Sequence, residues 1–223
     1  MSTQKQPPGA SLSLNSIAAT LAPFRIRLSE AQLTSIRDYL RLLLLWNQSI
    51  NLTAIEDPLE ILSRHFGESL FAATFIYFSD SRLADVGSGA GFPGLPLKIV
   101  CPSMKVTLIE SNARKCAFLR EVTQLLRLTG IDIWPRRYDE IEGHGEAFDF
   151  VCARAIGDYA VLVPWARRML RPGGEIVLWL GTDDSIRIGR RKEFIWDAPV
   201  SIPESRRRVI MVGRKASATE CST

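Results

Sequence analysis

Apolar positions along the chain follow two different periods. From Ser29 to Trp46 they recur at Leu33, Ile36, Leu40, Leu43 and Leu44, one face of a helix, and Ser29 with Gln32 forms a capping box at its start. A second start signal, Asp57-Pro58-Leu59-Glu60, puts an acid at the cap and proline in the first turn. Leu59, Leu62 and Phe66 continue as a stripe, and the helix carries on through Leu70 to about Phe78. Residues 16–78 are therefore expected to be helical. From Arg82 onward the pattern changes to short, continuous apolar runs at 82–86, 105–110, 131–134, 148–153 and 175–180. Helical stretches separate them: one opened by Pro93 and stopped by Pro102, one along Lys115, Phe118, Leu119, Val122, Leu125 and Leu126, and one over 159–170. Such alternation predicts right-handed β-α-β units around a mostly parallel sheet, an α/β fold with helices on both faces. The runs 194–200 and 206–214, joined by a loop with Pro203, add an antiparallel hairpin at one edge and bring the strand count to seven.

The first strand ends in Asp85-Val-Gly-Ser-Gly-Ala-Gly-Phe-Pro-Gly94, which reads as strand, tight turn and helix. Glycines let the backbone turn with positive φ and approach a ligand, and the next helix directs its free N–H groups into the same crevice. In an open α/β sheet ligands lie outside the carboxyl ends of the strands, here Gly87, Gly89, Phe92, Glu110, Tyr138, Asp139 and Arg154. Glu110 suits a ribose diol, Asp139 an adenine amino group, Phe92 or Tyr138 a ring face, and Arg154 a carboxylate or a base. Gly89-Ala-Gly-Phe-Pro-Gly94 also satisfies G-x-G-x-x-G, so a nicotinamide dinucleotide is an alternative ligand. Against it, the acid at Asp85, the acids after the third strand and Leu170-Arg-Pro-Gly-Gly-Glu175 together resemble class I S-adenosylmethionine methyltransferases.

Composition narrows the partners. With 223 residues and 46% apolar content the chain supports one substantial core. A net charge of +4 and a pI near 9.0 permit nucleic-acid contact, with basic runs at Arg136 and Arg137, Arg167 and Arg168, Arg187 to Lys192 and Arg206 to Arg208. Cys101, Cys116, Cys152 and Cys221 lack paired spacing and read as reduced structural residues, and with only His65 and His144 no metal site is expected. No run approaches the roughly 20 apolar residues of a membrane span. A polar tail (1–15), a helical cap (16–78), a cofactor-binding domain (79–215) and a short tail (216–223) make up the expected organisation of a cytoplasmic monomer.

Five segments carry a closer resemblance: Leu45-Trp-Asn-Gln-Ser-Ile-Asn-Leu-Thr53, Arg64-His-Phe-Gly-Glu-Ser-Leu70, the glycine turn, Phe148-Asp-Phe-Val-Cys-Ala-Arg-Ala155 and Leu170-Arg-Pro-Gly-Gly174. Together they resemble the ribosomal RNA small subunit methyltransferase G family, also called glucose-inhibited division protein B. The resemblance implies a Rossmann-like class I methyltransferase with a seven-stranded sheet and a helical cap, using S-adenosylmethionine to methylate N7 of a guanine in 16S rRNA near the decoding site. It further implies that Gly87, Phe92, Tyr138, Asp139 and Arg154 contact the cofactor, and that the partner is 16S rRNA or the small ribosomal subunit. RNA contact is expected of His65, Arg136, Arg187, Arg190 and Arg191. No catalytic acid or base is expected; Arg154 is the candidate for positioning. Two departures stand out: Glu68 replaces the family's usual aspartate, and Leu180 occupies the place of a lysine. An inactive RNA-binding or assembly factor on the same fold is the other alternative, one that would have lost the pocket residues present here.

Overall fold

The computed structural model describes residues 12–142 and 147–215; residues 1–11, 143–146 with His144, and 216–223 with Cys221 lie outside them. Helix α1 (Leu14–Leu21) starts within the expected tail because the Ser13 hydroxyl accepts the Ser16 N–H, and Ile17 and Leu21 are buried. Helix α2 (Glu30–Asn47) has the expected reciprocal cap, with Ser29 N–H donating to Gln32 Oε1 at 2.8 Å and Gln32 N–H to Ser29 Oγ at 3.3 Å. From Pro58 to Thr74 the chain is one helix with an interruption: α3 (Pro58–Ile61), a π-turn (Leu62–Gly67), α4 (Glu68–Phe71) and a 3₁₀ end (Ala72–Thr74). Leu62 and Phe66 bury as expected, but Leu59 is exposed. The buried face is centred on Ile61, two residues and about 200° away from it around the helix. Gly67 is required where it stands: a Cβ there would lie 2.2 Å from the Phe24 ring.

Nine further elements follow: β1 (Arg82–Val86), α5 (Gly94–Val100), β2 (Lys105–Ile109), α6 (Ala113–Leu125), β3 (Ile131–Trp134), β4 (Phe148–Arg154), α7 (Tyr159–Met169), β5 (Leu170–Gly181) and α8 (Thr182–Ile188). Three strands complete the sheet: β6 (Ile195–Trp196), β7 (Val200–Ser201) and β8 (Arg208–Arg214). The strand order is β3-β2-β1-β4-β5-β8-β6, parallel as far as β5 and antiparallel beyond it, with β7 also on β8. The sheet has eight strands rather than seven because the edge strand is split around Pro199, which has no N–H to donate to the ladder. Helix α8 has no counterpart in the sequence reading; its buried positions are Ser185 and Ile188.

Alternate residues of the central strands feed two cores, one on each face. Leu83, Leu108, Cys152, Val177 and Trp179 pack with α1, α2, α5, α6 and the π-turn segment. Ala84, Val86, Val151, Ala153 and Leu178 pack with α7 and α8. The cap helices thus share one continuous core with the sheet. Leu180 is buried in the second cluster with Ile188, Val209 and Met211, so the position of the absent lysine is apolar. Leu125, expected on the buried face of its helix, is exposed.

Candidate functional site

The helix after β1 lies on one face of the sheet and the helix after the neighbouring β4 on the other, so a crevice opens at their carboxyl ends. The glycine turn forms its floor. Gly87, Gly89 and Gly91 have φ of 67°, 56° and 87°, and Gly87 and Ser88 N–H groups donate to Ile109 O at 2.9 and 3.1 Å. Glu110 fastens the turn to the end of β2, accepting from Gly89 N–H at 2.9 Å and from Asn112 N–H at 2.8 Å, one bond to each carboxylate oxygen. A Cβ on Gly89 would meet nothing closer than Gly87 O at 3.8 Å, so that face of the turn is open to a ligand. Gly91 is the opposite case, because a Cβ there would lie 2.5 Å from the Tyr39 hydroxyl.

Behind the turn, Asp85 is fully buried, with Oδ2 accepting from Gly94 N–H at 2.9 Å. Beside it Tyr39 donates to Ala90 O. Tyr39, Phe92 and His65 form a column: Tyr39 and Phe92 stack at 5.5 Å and 3°, Phe92 and His65 at 5.0 Å and 28°. Phe66 also packs edge-on against Phe92 at 5.1 Å, so the ring, expected as a face for a ligand ring, is buried among three protein rings. Tyr138 packs edge-on against Trp165 and is half-buried. Asp139 is exposed and paired with Arg137 by two bonds of 3.0 and 2.7 Å, which holds its carboxyl below the usual carboxylate range.

Arg154, at the end of β4, points into the π-turn. Its Nη2 donates to Arg64 O at 2.7 Å and His65 Nδ1 at 3.2 Å and lies 3.3 Å from Glu68 Oε2; Nη1 donates to His65 O at 3.4 Å. Arginine only donates, so Nδ1 is the acceptor and the imidazole proton sits on Nε2, which donates to Thr53 Oγ1 at 2.7 Å. His65 thus has both nitrogens engaged and stacks on Phe92. Glu68 is buried and bridges two arginines, with Oε1 2.5 Å from Arg208, and its carbonyl accepts from Trp179 Nε1 at 2.8 Å. Desolvation pushes the Glu68 carboxyl up, opposed by Arg154 and Arg208. Desolvation also brings Arg154 down to about 10.

Gly87, Gly89, Phe92, Glu110, His65 and Arg154 thus meet in one crevice, with Tyr138 and Asp139 beyond β3. Arg136 is exposed nearby; Arg187 pairs with Asp184, Arg191 with Glu193, and Arg190 is exposed. The sequence reading gave no role to Tyr39, Thr53 or Glu68, whose signal lies in contacts between distant segments.

Two buried groups give the fold opposing pH responses. Burial raises Asp85 from its ordinary 3.8 to about 7, while burial and then Arg154 lower His65 from 6.5 to about 3. Asp85's contribution is full below pH about 4 and is lost as pH rises through about 7. His65's is full above pH about 6.5 and is lost as pH falls through about 3. Asp85→Asn removes the first response and keeps an acceptor for Gly94. In urea unfolding, its stability relative to the unsubstituted protein is expected to rise between pH 4 and 7, by up to about 1.4 kcal/mol per pH unit. A difference independent of pH would show that Asp85 is ionised throughout.

Comparison with known proteins adds to this geometry. A family model described as rRNA small subunit methyltransferase G matches residues 32–200. The chain is 36% identical to the ribosomal RNA small subunit methyltransferase G of Chloroflexus aggregans over 211 residues, covering 90% of this chain and 89% of that one. With the protein of the same name from Roseiflexus castenholzii it shares 37% identity, over 87% and 88% of the two chains. Among solved structures, a SAM dependent methyltransferase from Aquifex aeolicus superposes with a TM-score of 0.60 at 14% identity, covering 72% of this chain and 94% of that one, a likeness of fold.

Proposed function

Because the chain belongs to the rRNA small subunit methyltransferase G family, we propose that it transfers a methyl group from S-adenosylmethionine to N7 of a guanine in 16S rRNA near the decoding site. The family's class, an S-adenosylmethionine-dependent rRNA methyltransferase, is this chain's class. The observation that carries the finer reading is the crevice at the ends of β1, β2 and β4, where an open glycine turn, a buried carboxylate and a buried guanidinium converge.

These residues fit the cofactor. Backbone at Gly89 admits it closely because no side chain stands in the way, whereas the Ile156 side chain packs beside Gly87. Each Glu110 oxygen accepts one hydrogen bond and keeps a second lone pair for a ribose hydroxyl. Tyr138 and Asp139 would meet the adenine, Arg154 would be the counter-charge for the methionine carboxylate, and Phe92 would close the wall. When bound, S-adenosylmethionine supplies an electrophilic methyl group on sulfur.

Guanine N7 is a lone-pair acceptor on the major-groove edge and has no proton to lose. The protein's task is then alignment and exclusion of water, and proximity of this kind lowers a barrier by roughly 7–11 kcal/mol. His65 agrees with that role: with both nitrogens engaged, it braces Arg154 and Phe92 and moves no proton. Arg136, Arg187, Arg190 and Arg191 are the outer cations for the RNA. The acting unit is a monomer on 16S rRNA or the small subunit in the cytoplasm.

Asp139→Ala tests the adenine assignment. Exposed and tied only to Arg137 by its side chain, Asp139 contributes little to folding, within about 0.5 kcal/mol. Calorimetric titration with S-adenosylmethionine is expected to show binding weakened about tenfold, the loss of about one hydrogen bond to a charged group. Unchanged affinity would remove Asp139 from the pocket.

A further inference from the structure

Beside the cofactor crevice lies a second cleft of about 610 Å³, between the π-turn segment and the loop from β7 to β8. Arg64, Arg206, Arg207 and Arg208 line it together with Ser63 and Ser205. Its acids are Glu60, Glu68 and Glu204. Two of them are already engaged: Glu60 pairs with Arg64 at 2.9 Å, and Glu68 is shared between Arg208 and Arg154. Arg206 and Arg207 are exposed and have no ion-pair partner among the described residues.

The loop that carries them is braced. Ile202 N–H donates to Arg208 O at 3.1 Å, Ser205 N–H to Ile202 O at 3.2 Å, and Thr182 N–H at the start of α8 to Arg207 O at 3.0 Å. Glu68 is the wall common to the cleft and the cofactor crevice, one carboxylate oxygen reaching Arg208 and the other Arg154. Whatever anion occupies the cleft therefore lies one side chain away from the group that braces the cofactor pocket.

We propose that this cleft binds the phosphodiester backbone of the RNA strand flanking the methylated nucleotide, with Arg206 and Arg207 as the phosphate contacts and the Ser63 and Ser205 hydroxyls as hydrogen-bond donors. The assignment rests on the RNA reading above and deepens it by naming a docking surface. Guanidinium groups suit phosphate oxygens because their paired N–H donors match them geometrically. Glu204, at the tip of the same loop, opposes the phosphates and limits affinity.

The test is the salt dependence of binding to a fluorescent 16S rRNA hairpin, read by anisotropy. Each phosphate contact contributes about 0.7–0.9 to the slope of log affinity against log salt, so Arg206→Ala/Arg207→Ala is expected to lower that slope by about 1.4–1.8. Calorimetric affinity for S-adenosylmethionine stays unchanged, and Glu204→Gln binds the hairpin more tightly. Arg120→Ala/Arg127→Ala, near the opposite ends of the strands, keeps the full slope. Normal hairpin binding and methylation by the unsubstituted protein, with an undiminished slope in the Arg206/Arg207 variant or an equal fall in the Arg120/Arg127 variant, overturns the cleft assignment alone. Failure of the unsubstituted protein to bind or methylate rRNA overturns the RNA reading itself, and the cleft assignment with it.

Discussion

Arg154→Ala is expected to abolish measurable methyl transfer and to lower the unfolding free energy by about 3–5 kcal/mol, the usual result of removing one member of a buried ion pair. The guanidinium lies against four protein groups, the carbonyls of Arg64 and His65, His65 Nδ1 and Glu68 Oε2. Its loss leaves Glu68 with Arg208 alone and His65 without its Nδ1 donor. Arg154→Lys does not rescue, because one ammonium cannot reach partners spread across the face of a planar fork. Urea unfolding combined with a labelled-methyl assay checks both effects. Activity within tenfold of the unsubstituted protein would show that the cofactor does not depend on this residue. A double variant with Glu68→Gln is expected to be more stable than the sum of the single losses predicts, by about 1–3 kcal/mol.

Gly91→Ala is the second large effect, and comparison with Gly89→Ala separates stability from binding. At Gly91 the backbone has φ of 87° and the new methyl meets the Tyr39 hydroxyl at 2.5 Å and Leu95 Cδ1 at 2.6 Å. The backbone strain costs about 1–3 kcal/mol. Displacing Tyr39 also disrupts its bond to Ala90 O and its stack on Phe92, so a total loss of about 4 kcal/mol and weaker cofactor binding are expected. At Gly89 the new methyl enters open space, and left-handed φ alone costs roughly 1–2 kcal/mol. There the protein is expected to stay folded while affinity for S-adenosylmethionine falls, because the methyl occupies the open face proposed for the ligand. Thermal unfolding and calorimetry read the two quantities. Equal destabilisation of both variants would place the ligand face elsewhere.

What the sequence disclosed follows the range of the interactions involved. The Ser29–Gln32 box and the Asp57 cap are local, so residue types at fixed spacing identified them. The glycine turn and Glu110 were legible because strand ends in an open sheet gather by topology. Arg154 was placed at the crevice for the same reason, but its partners at Arg64 and His65 are 90 and 89 residues away and depend on a π-turn that no spacing rule announces. Tyr39 meets Ala90 across 51 residues, and an apolar helix stripe gives no hint that its one tyrosine braces a ligand turn. Phe92 follows the glycine turn in sequence and is expected there as a ring face for the ligand, but its stacking on Tyr39 and His65 joins segments far apart in the chain and leaves no local signal. Helix α8 escaped notice because its 7 residues hold only two buried positions, too few to show a period.

Methylation of a guanine N7 in small-subunit rRNA by this crevice is the proposal on which the rest depends. The direct measurement is transfer of labelled methyl from S-adenosylmethionine to bacterial 16S rRNA and to isolated small subunits, followed by mapping of the labelled nucleotide. One label is expected, at N7 of a guanine in the decoding-region hairpin, lost with Arg154→Ala. Label on another atom or another RNA, or cofactor binding with no transfer to either substrate, would contradict it.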